Sequence, residues 1–310
     1  MKEKKIFFYS DGFKLDGSLY TPDNLDANKK HPAVVVNSGY QGFNQFYPKL
    51  FAKPLTDAGY VCLGFDYRGF AASEGEHGRV ILGEQVEDII NAISYLLTLE
   101  TVDEDQVGIL GWGMGASNVV RVAAKSHYVK GVAALNGFYN GARWLASIHS
   151  YVEWKALCAE VAEDRIQRVV DGKSRIVDTF HHYPLDPTTS DNVNVELAKI
   201  PGFGEQVSLM FTESILGMDA ESCAREISGV PMLIAHGREN LLHPIEEALA
   251  LFEAANDPKS LYVVNGQHND FMYCDHPEFI KLMDKVVSFF NEAMGEESGR
   301  SISRLTQKAV

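Results

Sequence analysis

The sequence predicts an α/β protein with a mostly parallel, doubly wound sheet and one inserted helical segment. Three observations carry this prediction. Short continuous apolar runs, typical of strands buried on both faces, recur along the chain. Segments with a helical spacing of apolar residues separate them. The alternation stops once and later resumes, which divides the chain into a core of residues 1–136 and 229–294, an inserted helical cap of residues 137–228 and a polar tail of residues 295–310.

The first part of the chain shows the alternation clearly. Residues 5–21 are typical of two short strands around the turn "SDGF". Apolar runs at 31–40 and 61–70 are typical of buried strands, and a helix closed by Gly59 separates them. Residues 81–99 place their apolar side chains on one helical face. The strand "VGIL", a glycine turn, a helix and the strand "VKGVAALN" complete this part.

After the insertion the same pattern returns. The run "VPMLIAHGREN" at 230–240 predicts a strand and a loop, and "PIEEALALFEAAND" predicts a helix. The run "SLYVVNGQHND" at 260–270 predicts another strand and loop, and residues 276–294 predict a last helix. Strict alternation of this kind predicts right-handed crossovers with helices on both faces of one sheet.

Composition and charge exclude several kinds of partner. The 310 residues carry a formal net charge of −14, which disfavours a nucleic-acid surface and an anionic membrane. The four cysteines are widely spaced and form no C-x-x-C pair, which indicates reduced thiols. The first apolar run is too short for a signal-peptide core. We therefore expect a cytoplasmic protein with a small-molecule substrate, no nucleic-acid or membrane partner, and a homodimer as an open alternative.

Residues 106–117, "QVGILGWGMGAS", match two fingerprints. Read as G-x-G-x-x-A, they form a dinucleotide-binding loop; read as G-x-S-x-G without its serine, they form the turn that carries a hydrolase nucleophile. A plain strand-to-helix turn is the third alternative. The dinucleotide interpretation is weaker, because the turn follows at least two buried strands and the next strand ends at Asn136 without a carboxylate to hold a ribose.

The nucleophile-turn interpretation explains more of the residues. A sharp strand-to-helix turn needs small residues on both sides of its centre, and Gly111 and Gly115 supply them. The central residue of such a turn is conformationally strained, and glycine tolerates that strain best. Gly113 therefore suits the backbone of the turn while it removes the nucleophile.

With this turn included, the chain resembles the α/β-hydrolase superfamily, and most closely its dienelactone-hydrolase-like and acyl-peptidase-like branch with a helical cap. The resemblance implies an α/β-hydrolase fold over about residues 5–294. Five stretches carry it in the expected order: "VVVNSGYQG", "GFDYRGFAASEG", "GWGMGAS", "PMLIAHGRENLLHP" and "VVNGQHNDF".

The resemblance also assigns the catalytic positions. Gly113 stands at the lost nucleophile position, and Asn240 stands where the family usually has an aspartate. Glu239, just before it, is an alternative acid if its loop is turned by one residue. Only His268 remains of the expected serine, aspartate and histidine. A serine acyl-enzyme mechanism needs a nucleophile, and an asparagine stabilises an imidazolium poorly and favours the wrong tautomer.

Other parts of a site are expected to remain. The N–H of Met114 and an N–H of Gly39 or Tyr40 would form an oxyanion hole, with the Tyr40 phenol and Trp112 as further substrate contacts. Cap residues expected to line a pocket are Trp144, Trp154, His182 and Tyr183. No spacing of histidines and carboxylates indicates a metal, and we expect no cofactor.

These residues predict His268-dependent acid–base chemistry on a carbonyl-containing small molecule. The candidate reactions are isomerisation, cyclisation, elimination, C–C cleavage and hydrolysis by activated water. Two alternatives stay open: a non-catalytic protein that binds a small molecule on a degenerate hydrolase scaffold, and an ordinary serine esterase whose serine has been replaced at position 113.

Overall fold

The computed structural model describes residues 1–295, and its framework is an eight-stranded sheet with helices on both faces. The strands of this sheet are β1 (Lys2–Ser10), β2 (Phe13–Thr21), β3 (His31–Asn37), β4 (Val61–Phe65), β5 (Val102–Trp112), β6 (Val129–Leu135), β9 (Met232–Gly237) and β10 (Lys259–Val264). A separate two-stranded ladder consists of β7 (Ile176–Val177) and β8 (Val207–Ser208).

The helices of the described residues are α1 (Tyr47–Asp57), α2 (Leu82–Leu96), α3 (Met114–Ala123), α4 (Gly141–Ile148), α5 (Tyr151–Asp171), α6 (Pro187–Val195), α7 (Met210–Leu216), α8 (Ala220–Glu226), α9 (Ile245–Ala254) and α10 (Pro277–Met294). A 3₁₀ turn covers Leu197–Lys199.

The order of strands in the main sheet is β1-β2-β4-β3-β5-β6-β9-β10. β1 pairs antiparallel with β2, and β2 pairs antiparallel with β4, whereas the six strands from β4 to β10 pair in parallel. The predicted mostly parallel, doubly wound α/β sheet is therefore confirmed. Asn37 at the end of β3 pairs with Gly111 near the end of β5, so the loop after β3 lies beside the glycine turn.

Some element boundaries differ from the predicted ones. β5 begins at Val102, five residues before the apolar run from which a strand was predicted, because Val102 pairs with His31 at the start of β3. β3 ends at Asn37, so the Ser-Gly-Tyr that follows is loop. The predicted helix of residues 81–99 is observed as α2, Leu82–Leu96.

The two faces of the sheet bury separate apolar clusters. Helices α1 and α10 cover one face, where Phe51 and Phe290 are fully buried. Helices α2 and α3 and the inserted segment cover the other face, where Val86 and Val119 are fully buried. Strands covered on both sides explain why their sequences are continuous apolar runs.

The chain between β6 and β9 holds α4 to α8, the 3₁₀ turn and the small ladder. The predicted limits of the cap, 137–228, remain a prediction. The predicted tail covers residues 295–310, and its residues 296–310 lie outside the described part of the chain. Within residues 1–295, none of the helices has the length and apolar character needed to cross a membrane.

Candidate active site

The turn between β5 and α3 has the geometry of a nucleophile elbow. Gly113 has φ 57° and ψ −124°, a backbone conformation that residues other than glycine rarely adopt. Its N–H donates to the carbonyl of Leu135 (2.9 Å) on β6. A Cβ at Gly111 would lie 2.2 Å from the carbonyl oxygen of Gly115, and a Cβ at Gly115 would lie 2.1 Å from the carbonyl oxygen of Ser38. The flanking glycines are therefore required by close backbone contacts.

Gly115→Ala is expected to destabilise the fold by about 3 kcal/mol or more, because the new methyl group would collide with backbone that cannot easily move. Gly83→Ala is the matched control: Gly83 lies in α2, and a Cβ there meets nothing within 4 Å. Gly83→Ala should raise the free energy of unfolding by no more than about 1 kcal/mol. Urea unfolding measures both, and equal midpoints for the two variants would contradict the packing argument.

His268 lies just after β10 and faces the elbow. Its Nε2 is 3.7 Å from the position of a Cβ built on Gly113, so a hydroxyl one bond further out would lie within hydrogen-bonding reach. The side chain is buried, and its ring centre lies 5.4 Å from that of Trp112. The structure thus brings the predicted histidine to the predicted nucleophile position.

Asn240 fixes the tautomer of His268. The backbone N–H of His243 donates to Asn240 Oδ1 (2.9 Å), which orients the amide so that its Nδ2 faces His268 Nδ1 at 3.1 Å. An amide nitrogen only donates, so Nδ1 must accept and the ring proton must sit on Nε2. The Nε2–H of His268 therefore points to the space above Gly113. An aspartate in place of Asn240 would have favoured the opposite tautomer, with the ring proton on Nδ1.

A second histidine, which the sequence analysis did not select, also reaches the elbow. His243 Cε1 lies 3.8 Å from the Cβ position of Gly113. Its Nδ1 donates to the carbonyl of Asn136 (2.6 Å), so its Nε2 accepts from the Tyr183 hydroxyl (2.7 Å). His243 therefore holds the phenol of a cap residue above the elbow.

Asn136 joins the loops that carry these histidines. Its Oδ1 accepts from the N–H of Gly237 (2.6 Å) at the end of β9, and its Nδ2 donates to the carbonyl of His268 (3.0 Å). Its backbone has φ 52°, a left-handed conformation that asparagine tolerates better than most residues. One side chain thus sets the separation of the Asn240 and His268 loops.

The predicted oxyanion residues lie together beside this pair. Met114 is the first residue of α3, so its N–H has no acceptor within the helix. A Cβ on Gly39 would lie 4.0 Å from the Met114 nitrogen, which places the two backbone segments side by side. Tyr40 contributes differently from the prediction, since its hydroxyl bonds to Thr179 Oγ1 (2.7 Å) and O (2.9 Å) of the insertion. Tyr40 therefore lines the cleft with a hydroxyl that is already bonded to the insertion.

The cleft above the elbow encloses about 600 Å³ of space between atoms, part of it open to solvent. Its floor comes from loops of the sheet and its roof from residues 180–203 of the insertion. Within residues 1–295, none of the lining side chains is an Asp, Glu, Lys or Arg. The aromatic lining residues are Tyr40, Phe43, Phe46, Tyr47, Trp112, Phe180, Tyr183 and Phe203.

Burial keeps the histidines of the site neutral. The pKa of His268 lies well below its ordinary value, mainly because of desolvation and to a smaller extent because of the neighbouring His243 and His236. Desolvation also lowers the pKa of His243 to about 3. Both rings are therefore uncharged at neutral pH, and the Nε2–H of His268 acts there as a neutral hydrogen-bond donor.

Comparison with known families agrees with this geometry. A family model, Hydrolase_4, described as serine aminopeptidase S33, matches residues 28–269. The chain belongs to this α/β-hydrolase family. The family description names a serine enzyme, whereas this α/β-hydrolase has Gly113 at the elbow.

The relatives of this α/β-hydrolase are distant. An uncharacterized 31.7 kDa protein from the traX-finO intergenic region of Escherichia coli is 28% identical over 244 residues, which cover 76% of this chain and 82% of that protein. The acyltransferase drtE of Aspergillus calidoustus is 22% identical and covers 96% of each chain. The crystal structure of the α/β hydrolase GrgF from Penicillium sp. sh18 superposes with a TM-score of 0.79 at 20% identity, over 95% of this chain and 99% of that chain. That likeness shows the fold.

Several predicted site residues of this α/β-hydrolase lie elsewhere. Glu239 is exposed, whereas Asn240 is buried against His268. Glu239 therefore does not take the acid position in place of Asn240. Trp144 is fully buried behind the cleft, where its indole donates to the carbonyl of Leu242 (2.9 Å). Trp154 is half-buried on α5 and does not line the cleft.

His182 also points away from the cleft. Its ring contacts Thr212 and Glu160 instead. Tyr183 is thus the one of the four predicted cap residues that lines the cleft.

Proposed function

We propose that this protein is a cofactor-independent enzyme that polarises the carbonyl group of an uncharged, largely apolar small molecule, without an acyl-enzyme. The observation that carries the proposal is the direction of His268. Its Nε2 faces the Gly113 position from 3.7 Å, and the Asn240 amide holds the proton on that nitrogen. A hydrogen-bond donor, rather than a base, occupies the place where a triad histidine would activate serine.

The donors around the elbow support a role in carbonyl activation. The Met114 N–H and the backbone of the loop at Gly39 lie beside the vacated position. A substrate carbonyl oxygen bound there would accept hydrogen bonds from this backbone and from His268. Donors fixed in a water-poor site stabilise the negative charge that grows on such an oxygen, and a neutral imidazole can serve as one of them.

The lining of the cleft limits the substrate. Charged side chains are absent from the lining within residues 1–295, so an anionic group of the substrate would lose its hydration without an ion pair. Aromatic and aliphatic side chains favour an apolar acyl or ketone skeleton. The name of the relative drtE, an acyltransferase, agrees with a carbonyl-containing substrate.

The tautomer narrows the candidate reactions. Hydrolysis by activated water needs a free lone pair on the histidine that faces the water, and the Asn240 contact leaves that lone pair on Nδ1. Isomerisation, cyclisation, elimination and C–C cleavage all gain from a polarised carbonyl. We therefore place the reaction among these four.

A non-catalytic binding protein is the second candidate. The observation that favours it is the absence of a strong base from the lining side chains of residues 1–295, since burial lowers the pKa of His243 to about 3. In that case the donors at the elbow would hold a carbonyl ligand without converting it.

A pair of substitutions at His268 tests the proposal. His268→Ala removes the donor, and turnover should fall by about 10²–10³-fold, the usual effect of losing one oxyanion donor. His268→Gln keeps an amide N–H in about the place of Nε2–H and should retain turnover within about tenfold of the native protein. Turnover of a panel of β-keto esters, β-keto thioesters and aryl ketones is followed by mass spectrometry.

The outcomes separate the candidates. Equal losses in His268→Ala and His268→Gln would mean that the ring transfers a proton through both nitrogens, which contradicts the donor role. Saturable binding of a panel compound to the native protein without any turnover, weakened in His268→Ala, would support the binding protein. His127→Gln is the control, since His127 is exposed on the surface and should change neither quantity.

A further inference from the structure

Three side chains of the insertion meet outside the cleft, and one of them is 21 residues away from the nearer of the other two, which are adjacent in sequence. Glu160 lies on α5, and His181 and His182 lie in the loop between β7 and α6. One oxygen of Glu160, Oε2, is 3.0 Å from Nε2 of His181 and 3.2 Å from Nε2 of His182. The three atoms lie within 4.8 Å of one another.

The spacing of these atoms suits a small divalent ion. Zinc binds imidazole nitrogens and carboxylate oxygens at about 2.0–2.2 Å, so the ligand atoms of a tetrahedral site stand roughly 3.3–3.6 Å apart. The distances from Glu160 Oε2 to the two imidazole nitrogens, 3.0 and 3.2 Å, are slightly shorter than this, and a shift of a few tenths of an ångström would lengthen them enough. His181 is 39% exposed, which leaves an approach from solvent for the ion and for a water as fourth ligand.

Two of the three side chains already have the outer contacts of metal ligands. Nδ1 of His182 bonds to Thr212 Oγ1 (3.0 Å), and the other oxygen of Glu160 accepts from Arg175 Nη1 (2.8 Å). Ligating histidines usually bond through the second ring nitrogen, and ligating carboxylates are usually hydrogen-bonded as well. If Thr212 accepts from Nδ1, the lone pair of Nε2 faces the Glu160 carboxylate, and a cation between them would relieve that repulsion.

The cluster is connected to the roof of the cleft. Phe180 and Tyr183 flank the histidine pair and both line the cleft, and Tyr183 donates to His243 above the elbow. An ion held by Glu160 and the two histidines would therefore fasten this roof loop to α5.

We propose that Glu160, His181 and His182 form a binding site for a divalent transition-metal ion of the Zn²⁺ type. Two imidazoles and one carboxylate favour such ions over Mg²⁺ and Ca²⁺, which prefer oxygen ligands. The sequence gives no sign of the site, because Glu160 stands on a different element from the adjacent histidines. The site is independent of the chemistry proposed for His268.

Metal titration of the full chain, after dialysis against a chelator, tests the proposal. Calorimetry with ZnCl₂ should show one ion per chain, and CoCl₂ should give the visible absorption bands of a four-coordinate site. A hundredfold excess of Zn²⁺ over its Kd should raise Tm by about 4 °C. MgCl₂ at the same concentration should raise it far less.

Variants identify the ligands. Glu160→Gln and His181→Ala should each weaken Zn²⁺ binding at least about tenfold, whereas His127→Ala, at an exposed histidine away from the cluster, should leave it unchanged. Circular dichroism and Tm without metal show whether each variant is folded. No saturable binding at micromolar Zn²⁺, or binding that is the same in Glu160→Gln and His181→Ala as in the native chain, would overturn the proposal.

Discussion

Gly113→Ser combined with Asn240→Asp is expected to turn the protein into a serine esterase, whereas Gly113→Ser alone should be nearly inactive. A hydroxyl at position 113 would lie within reach of His268, because the Nε2 of His268 is 3.7 Å from the Cβ position and is the nearest atom outside the adjoining residues of the turn. In Gly113→Ser alone, however, the Nε2–H of His268 would donate a hydrogen bond to that hydroxyl and could not accept its proton. An aspartate at 240 would accept a hydrogen bond from Nδ1–H of His268, which would leave a lone pair on Nε2 to act as the base.

The size of this effect follows from the tautomer. In the serine proteases, replacing the triad aspartate by asparagine lowers kcat by about 10⁴-fold, so the double variant should exceed Gly113→Ser by about 10³–10⁴-fold. The assay is hydrolysis of p-nitrophenyl butyrate, with fluorophosphonate labelling at position 113 as a second readout. Asn240→Asp alone is the control and should stay inactive. Equal activity of the single and double variants would contradict the assignment of the His268 tautomer.

Stability is expected to fall steeply between pH 6.5 and pH 4. His236, His243 and His268 are buried, and desolvation lowers the pKa of each. A histidine in the unfolded chain has a pKa of about 6.5, so in this window the unfolded state binds up to three more protons at these sites than the folded state. The contribution of these groups is complete above pH 6.5 and is lost as the pH falls towards their folded pKa values.

One carboxyl acts in the opposite direction. Burial raises the pKa of Asp66 to about 6, so the folded state takes up one proton there before the unfolded state does. Among these four groups a net difference of two protons remains, which contributes a slope of about 2.7 kcal/mol per pH unit near pH 5. Burial also lowers the pKa of His182 to about 4, so this histidine makes the slope steeper in the same direction. Urea unfolding at half-unit intervals of pH measures this slope.

His236→Gln provides the matched variant for the pH experiment. His236 lies on β9 outside the cleft lining, and its Nε2 donates to the carbonyl of His243 (2.7 Å), a contact that a glutamine amide can also make. The slope should decrease by about 1.4 kcal/mol per pH unit in this variant. A native protein whose unfolding free energy is flat from pH 6.5 to pH 4 would show that the rings are protonated without cost.

The fold and the floor of the site could be predicted from the sequence because local patterns specify them. Gly111, Gly113 and Gly115 mark a turn that backbone contact demands, and His268 follows a strand at the expected place. Five stretches in the expected order made the family recognisable. The family model and the solved structures confirm the superfamily and the fold.

The rest of the site depends on contacts between distant residues. His243 follows Asn240 by three residues in an irregular loop, and only the carbonyl of Asn136 on another strand end shows how its ring is oriented. Trp144 carries no sequence signal that separates a pocket aromatic from a core aromatic, and it stacks on Phe138 with ring centres 3.9 Å apart. Periodicity describes one element at a time, so such tertiary contacts remain invisible to it.

Different parts of the chain form the floor and the roof of the cleft, and this has an evolutionary consequence. All the groups proposed to touch a reacting carbonyl lie in loops that follow the strands or at the start of α3, whereas a single contiguous segment, residues 180–203, supplies the covering surface. Exchange or drift of that segment alone would alter which molecules are accepted and leave the donors at Gly113 undisturbed. A lineage with this layout can diversify its ligands without rebuilding its chemistry.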